Sequence, residues 1–232
     1  MLKGPVLDRT CDALRWIFDQ RIHDPALPEV AVHFPNASRF VATWQAIRAE
    51  ACAVTRDLGT LPRFHDLMPE QASISANDGR DWRLFILKAY GVSVGENRAR
   101  CPVTSALLES CPEVLSASFS CLAPGKHIPP HRGPFRGILR FHLGLSMPLD
   151  EQGRLGAVLW VDGIPHRLAD GDGLLWDDTF LHEVRNDTDQ VRVALLLDVW
   201  RQGMPTDMVL LSHLVVSLVQ TGIRRRGVRF AA

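Results

Sequence analysis

Apolar residues recur at helical spacing over the first third of the chain and at strand spacing over the remainder. Leu14, Ile17 and Phe18, beside Trp16, predict a helix over residues 7–21, and Pro25 and Pro28 then break the pattern. A second helix is predicted over 38–58, with Phe40, Val41, Trp44, Ile47 and Ala51 along it and Gly59 as its stop. Residues 61–79 carry two prolines and no period, and read as a loop. Residues 82–90 are aromatic and branched, as in a strand, and residues 102–110 form a short helix behind Pro102. Beyond Val114 the pattern is β, with strands near 115–122, 138–147, 157–161, 173–176, 182–185 and 192–200. The turn clusters Pro124-Gly125, Asp162-Gly163 and Asp170-Gly171-Asp172-Gly173 separate them. Short strands at regular intervals predict an antiparallel sandwich or jelly roll, mainly β with flanking helices. Neither βαβ alternation nor an internal repeat is visible. Three regions follow: a helical extension over 1–80, a β core over 81–206, and an apolar helix with a basic tail over 207–232.

Composition narrows the class. At 232 residues, with 46% apolar and 22% charged content, the chain is long and apolar enough for a substantial core and unlike a disordered one. Lys plus Arg, 26, equals Asp plus Glu, 26, so no global charge draws it to nucleic acid. Five cysteines without CxxC spacing argue against a disulfide scaffold and a zinc ribbon and point to a reducing, cytoplasmic setting. A single Cys101–Cys111 bridge stays open. Residues 1–9 hold no apolar stretch of signal-peptide length, and no run reaches the roughly 18 apolar residues of a membrane span. Residues 207–223, followed by Arg224-Arg225-Arg226, admit two readings: a helix packed on the core, or peripheral contact with the inner membrane.

Chemistry concentrates in two places. The run Pro129-Pro130-His131-Arg132-Gly133-Pro134 is answered by Asp177-Asp178-Thr179-Phe180-Leu181-His182-Glu183-Val184, each histidine at the margin of an extended apolar segment. Neutral imidazole is the commonest side-chain ligand for zinc, iron and copper, so two on neighbouring strands can hold a metal. Arg192 heads the apolar strand Arg192-Val193-Ala194-Leu195-Leu196-Leu197, and a cation buried there needs an anion. Metal and arginine together suit a small carboxylate chelated at one end and salt-bridged at the other. A lone histidine on an apolar strand is more often structural, and His23, His33, His65, His127, His166 and His213 read that way. Asp177 and Asp178 are either partners of a ligating imidazole or turn residues, and either could pair with Arg140.

These segments, with Phe119-Ser120, Pro124-Gly125, Leu139-Arg140, His142-Leu143-Gly144-Leu145 and Asp198-Val199-Trp200, resemble the aspartyl/asparaginyl β-hydroxylase family from about Asp81-Trp82 onward. The resemblance implies an Fe(II)- and 2-oxoglutarate-dependent oxygenase on a double-stranded β-helix, using O2 and releasing succinate and CO2. It implies His131 and His182 as iron ligands and Arg192 on the distal carboxylate of 2-oxoglutarate. Ser120, Arg140 and His142 fall where the family contacts the cosubstrate carboxylates; Trp82, Leu122 and Val184 fall in the pocket wall. The carboxylate ligand usual in such centres would stand two residues after the first histidine, where this chain has Gly133. Water is implied there; an iron halogenase would place chloride in the same gap. The implied substrate is an aspartyl or asparaginyl group of an amino acid or peptide, or a lipid acyl chain. A non-catalytic cupin-like module binding metal or carboxylate is the alternative of another class.

Overall fold

Two antiparallel sheets, flanked by helices, organise the chain in a computed structural model that describes residues 5–226. Strands β1 (Trp82–Ala89), β2 (Val92–Ser93), β3 (Val114–Leu122), β4 (His127–His131), β5 (Ile138–Ser146), β6 (Ala157–Val161), β7 (Ile164–His166), β8 (Gly173–Trp176), β9 (His182–Asn186) and β10 (Arg192–Trp200) form them. The larger sheet runs β2-β1-β3-β10-β5-β8 and the smaller β4-β9-β6-β7, the two-sheet arrangement of a jelly roll. Helices α1 (Pro5–Asp19), α2 (Ala37–Ala42), α3 (Trp44–Val54), α4 (Pro102–Glu109) and α5 (Thr206–Arg226) lie around them.

The period of two along each strand decides what the larger sheet shows to either side. Val193, Leu195, Leu197 and Val199 of β10 share a core with Leu139, Phe141, Leu143 and Leu145 of β5 and Ala117, Phe119 and Cys121 of β3. Phe34, Phe40, Ile47, Ala51 and Val54 close this core from the N-terminal helices. The alternate residues, among them Arg192, His142, Arg140, Ser120 and Leu122, therefore take the other face. There Trp82, Leu84, Ile86 and Leu122 meet Ile128, Leu159, Val161 and Val184 of the smaller sheet. A third cluster joins Phe18 and Ile22 to Phe135, Ile138, Met208 and Val216, so α1 and α5 pack together at one end.

Several elements differ from expectation for identifiable reasons. The helix expected over 38–58 divides at Thr43 (φ −105°, ψ 8°), which ends α2 and starts α3. The expected loop after residue 60 contains one-turn helices, Phe64–Leu67 and Ala72–Ser75, too short to show a period. Strand β4 contains Pro129 and Pro130 and escapes a propensity reading; it lies at a sheet edge, where a missing donor is tolerated. The Asp162-Gly163 pair does form a tight hairpin, β6 to β7, with both residues at positive φ (50° and 80°). All five cysteines are free thiols, so no Cys101–Cys111 bridge forms.

A buried lysine ties the segment before β1 to the start of β4. Lys126 is fully buried, and its Nζ donates to Ser75 O (2.7 Å), Asn77 Oδ1 (2.9 Å) and Asp78 Oδ1 (2.7 Å). Burial alone would raise the pKa of Asp78, but Lys126 and the amides of His127 and Arg80 outweigh it and hold the carboxyl below its usual range. Asp78→Asn is expected to cost about 2–4 kcal/mol in urea unfolding, because an unpaired ammonium remains buried. Since the folded pKa is depressed, the parent's margin over the variant is present above the unfolded carboxyl value and shrinks as pH falls through the folded one. An equal margin at neutral and strongly acidic pH would refute the pairing.

Candidate metal and carboxylate site

His131, at the end of β4, stands opposite His182, at the start of β9, and their ring centroids are 4.0 Å apart. Each Nδ1 lies 2.9 Å from the carbonyl oxygen two residues earlier, Pro129 O and Phe180 O. A carbonyl only accepts, so each Nδ1 carries the proton and each Nε2 keeps its lone pair, the tautomer a metal takes. Burial lowers the pKa of both rings; with His131 as neighbour, that of His182 falls to about 2. Both imidazoles are thus held neutral. Trp176 packs edge-on against His182 at 4.6 Å and against His142 at 5.4 Å, carrying the site across from one sheet to the other.

Arg192 supplies the cationic half of the site. It is buried, its Nε has no hydrogen-bond partner, and burial pulls its pKa down to about 10. Buried His142 also has an unpartnered Nδ1, and burial with Arg192, Arg140 and His182 nearby drives its pKa far below the usual value. Native interiors seldom leave such groups unmatched, and a carboxylate is the complement their chemistry suits. In the strand register Leu122 stands between Trp82 and Arg192, and Ser120 between Leu84 and Ala194. Trp82 Nε1 donates to Ser120 Oγ (2.9 Å), leaving the hydroxyl hydrogen for another acceptor, and the indole stacks on Phe64 at 3.8 Å. Leu122 and Val184 belong to the apolar lining between the sheets.

Arg140 is differently engaged. Its Nε donates to Asp198 Oδ1 (2.8 Å), and its Nη1 lies 3.6 Å from Asp178 Oδ2. Burial would lower its pKa, but these two carboxylates outweigh burial and raise it. Of the two acids adjacent in sequence, Asp178 is the one beside Arg140. Asp177 accepts from Arg136 Nε (2.9 Å) and Arg201 Nη2 through Oδ2, and from Thr179 N (3.0 Å) and Oγ1 (2.6 Å) through Oδ1. Arg136 lies in the loop after His131 and Asp177 in the one before His182, so this buried cluster fixes together the two loops that adjoin the histidines. Arg136 and Arg201 also bond Asp19, Ile22 O, Asp24 O and Asp24 Oδ2, anchoring the N-terminal segment to the same cluster.

Gly133 has a steric reason to be glycine. A Cβ built there would lie 2.1 Å from Asp178 Oδ1 and 2.3 Å from its Cγ. The Asp178 carboxylate fills the space that a side chain at 133 would take, while Gly133 N donates to Asp178 O (2.6 Å) and Arg15 Nη1 donates to Gly133 O (2.7 Å). Burial, with Asp198 and Asp177 adding to it against Arg140, raises the Asp178 pKa to about 7, and its Oδ1 is unpartnered. Gly133→Ala is expected to displace Asp178 and to weaken the binding of a divalent metal at the histidine pair about tenfold or more, read by metal titration. Unchanged affinity would show that Asp178 has no part in the site.

The structure brings together His131, His182, His142, Arg192, Trp82, Ser120, Leu122 and Val184, with Arg140 at the border. Sequence reasoning underweighted Asp178 and did not find Phe64 or the Arg136–Asp177–Arg201 cluster. The only sequence signal for Asp178 is its place four residues before His182.

Two neutral histidines and a buried, unmatched arginine thus share the interior of a two-sheet jelly roll, a donor set suited to a metal ion and a carboxylate. A family model described as aspartyl/asparaginyl beta-hydroxylase matches residues 41–202, and the chain belongs to that family. It is 37% identical to an ornithine lipid ester-linked acyl 2-hydroxylase of Rhizobium tropici over 77% of this chain and 61% of that protein. It is 32% identical to the human aspartyl/asparaginyl beta-hydroxylase over 68% of this chain and 20% of that one. The chain thus spans less than two thirds of either relative. A cupin_2 domain of a transcriptional regulator from Enterobacter cloacae aligns over 38% of this chain and 82% of its own, at 17% identity and a TM-score of 0.31. The protein is a member of this hydroxylase family on a two-sheet jelly-roll fold.

Proposed function

We propose that the protein is an Fe(II)- and 2-oxoglutarate-dependent hydroxylase acting on a lipid acyl chain. One observation carries the reading: Arg192, a buried guanidinium of the larger sheet with an unmatched Nε, lies with His142 across from the two imidazoles of the smaller sheet, whose Nδ1 atoms are held by carbonyls. His131 and His182 would hold iron; Arg192, with the Ser120 hydroxyl, would hold the distal carboxylate of 2-oxoglutarate. His142 adds a ring nitrogen on the larger-sheet side, beside Arg192. When bound, iron and 2-oxoglutarate supply oxygen activation: O2, the 2-oxo acid and a C–H bond become succinate, CO2 and C–OH. The chain's own work is to bind, orient and shield. The carbonyls of Pro129 and Phe180 keep the ligating nitrogens unprotonated, and Trp82, Trp176, Leu122 and Val184 keep the chamber apolar.

That lining suits an acyl chain better than a charged side chain, and the similarity to the ornithine lipid acyl hydroxylase agrees. An aspartyl or asparaginyl substrate is the second reading, favoured by Gly133 and the similarity to the human enzyme. Asp178, placed where Gly133 lacks a side chain, makes a poor neighbour for chloride and weighs against halogenation. Unmatched Arg192 weighs against a module without turnover.

Adding Fe(II) and then 2-oxoglutarate without oxygen is expected to produce a visible metal-to-ligand charge-transfer band. Admitting oxygen with a diacyl or acyl-amino-acid lipid should then add one oxygen atom to the lipid, by mass spectrometry. Iron binding without the band would remove 2-oxoglutarate from the reading; oxygen added to an aspartyl peptide and not to the lipid would select the second substrate.

A further inference from the structure

Helix α5 is apolar on two sides, and only one of them is covered. Its inner line, Met208, Ser212 and Val216, is buried, and Met208 and Val216 join the core shared with α1. On the outer line Leu210, Leu214 and Leu218 are 66%, 57% and 66% exposed. A helix lying on a soluble core ordinarily turns charged and polar residues outward. Here residues 208–223 contain no charged side chain, and the chain from 208 to 232 contains no Asp or Glu. The first charges after Asp207 are Arg224 and Arg225, both exposed, in the run Arg224-Arg225-Arg226. At 100° per residue, Arg225 falls on the same line as Leu214 and Leu218. Among the described residues Thr206–Arg225 is long and apolar enough by length and composition to cross a membrane. It is nevertheless tied down along its length: Asp207 pairs with Arg21 (3.1 Å), and Gln220 Nε2 donates to Tyr90 O (2.7 Å).

We infer that the outer face of α5 docks on an anionic lipid bilayer, with the leucines in the acyl boundary and the arginines among the headgroups. The inference rests on the acyl-chain reading above and names where that substrate is met. Charge decides the occupant. A leucine line ending in a basic run free of carboxylates complements an anionic surface, whereas a second copy packed parallel would set arginines against arginines, and one packed antiparallel would offer them only Asp207, which Arg21 already holds. The helix is continuous with the site, because Ile223, one residue before the arginines, packs on the cluster of Trp82, Trp176, Leu122 and Val184. A surface that seats Arg224 and Arg225 among headgroups therefore brings the apolar chamber close to the origin of the acyl chains.

The test is co-sedimentation of the full chain with vesicles of phosphatidylcholine alone or with added phosphatidylglycerol. The parent is expected to pellet with the anionic vesicles and to be released by salt. The double variant R224Q/R225Q should bind about tenfold more weakly or worse, and the triple variant L210S/L214S/L218S about a hundredfold or worse. All three leucines point outward, so thermal melts should match the parent, and a melt that does not removes that variant in favour of single changes at Leu214. A parent that stays in the supernatant with anionic vesicles overturns the inference. So does a triple variant that pellets like the parent, or one that only converts a dimer to a monomer in light scattering, which would assign the face to a second copy. Resistance to both salt and alkaline extraction would indicate a spanning helix and overturn surface docking. The anaerobic Fe(II)–2-oxoglutarate band, recorded on the same preparations, separates the two readings. Vesicle binding lost with the band intact removes only the docking face; the band absent with vesicle binding intact removes only the iron reading.

Discussion

Replacing His182 with alanine is expected to reduce 2-oxoglutarate turnover by about a thousandfold or more, and His131→Ala to do the same. Removing the partner of a ligand already costs about ten- to a hundredfold in metal affinity, and here one of the two proposed ligands itself is removed. The two rings face each other across the β4–β9 pair, 4.0 Å between centroids, with Nδ1 of each occupied by a carbonyl. No third Cys, His, Asp or Glu joins a ligand cluster among the described residues, so the remaining imidazole has no protein substitute for its partner. Iron titration and the anaerobic charge-transfer band should fail together with turnover. A His182→Ala protein that melts like the parent, binds iron as tightly and still produces succinate would eliminate the histidine pair as the metal centre.

Arg192→Met is expected to raise the apparent KM for 2-oxoglutarate about a hundredfold or more, since a carboxylate that loses its charge-assisted partner in a dry site forfeits several kcal/mol. The same change should make the ligand-free protein more stable. Arg192 is buried with an unmatched Nε, and its pKa is pulled down to about 10 by burial, so the ligand-free fold holds the charge at a cost. An apolar side chain of similar length removes that cost, with an expected gain of about 1–3 kcal/mol. Opposite signs for stability and cosubstrate binding are what a binding arginine produces; a structural arginine would lose stability on replacement. An unaltered KM, or a destabilised apoprotein, would place the cosubstrate anchor elsewhere.

Much of this was legible in residue order. Alternation along β3 and β5 announces strands with one apolar face, and hence a sheet whose other face carries Ser120, Arg140 and His142, whereas β10 is apolar without a break from Val193 to Leu197 and shows the face of Arg192 only in the fold. A period of two assigns faces without knowledge of neighbours, so side-chain direction follows from position alone. The boundaries of β6, β8 and β10 coincide with their turn signals because glycine and aspartate there meet local backbone requirements. By contrast, β4 is hidden by Pro129 and Pro130, whose acceptability depends on the strand being an edge.

Tertiary structure decided what depends on two distant segments sharing one place. That His131 and His182 are register partners, that Gly133 is glycine because Asp178 occupies its side-chain space, and that Arg140 is held by Asp198 are facts about pairs. Sequence spacing fixes neither member of such a pair relative to the other. The same holds for Asp177, which the sequence leaves as either a partner of a ligating imidazole or a turn residue and which accepts from Arg136 and Arg201 at once. The residue types for the chemistry stand in the sequence, but their partners were chosen by the fold, because buried charges and orphaned donors are resolved only through contacts across the core.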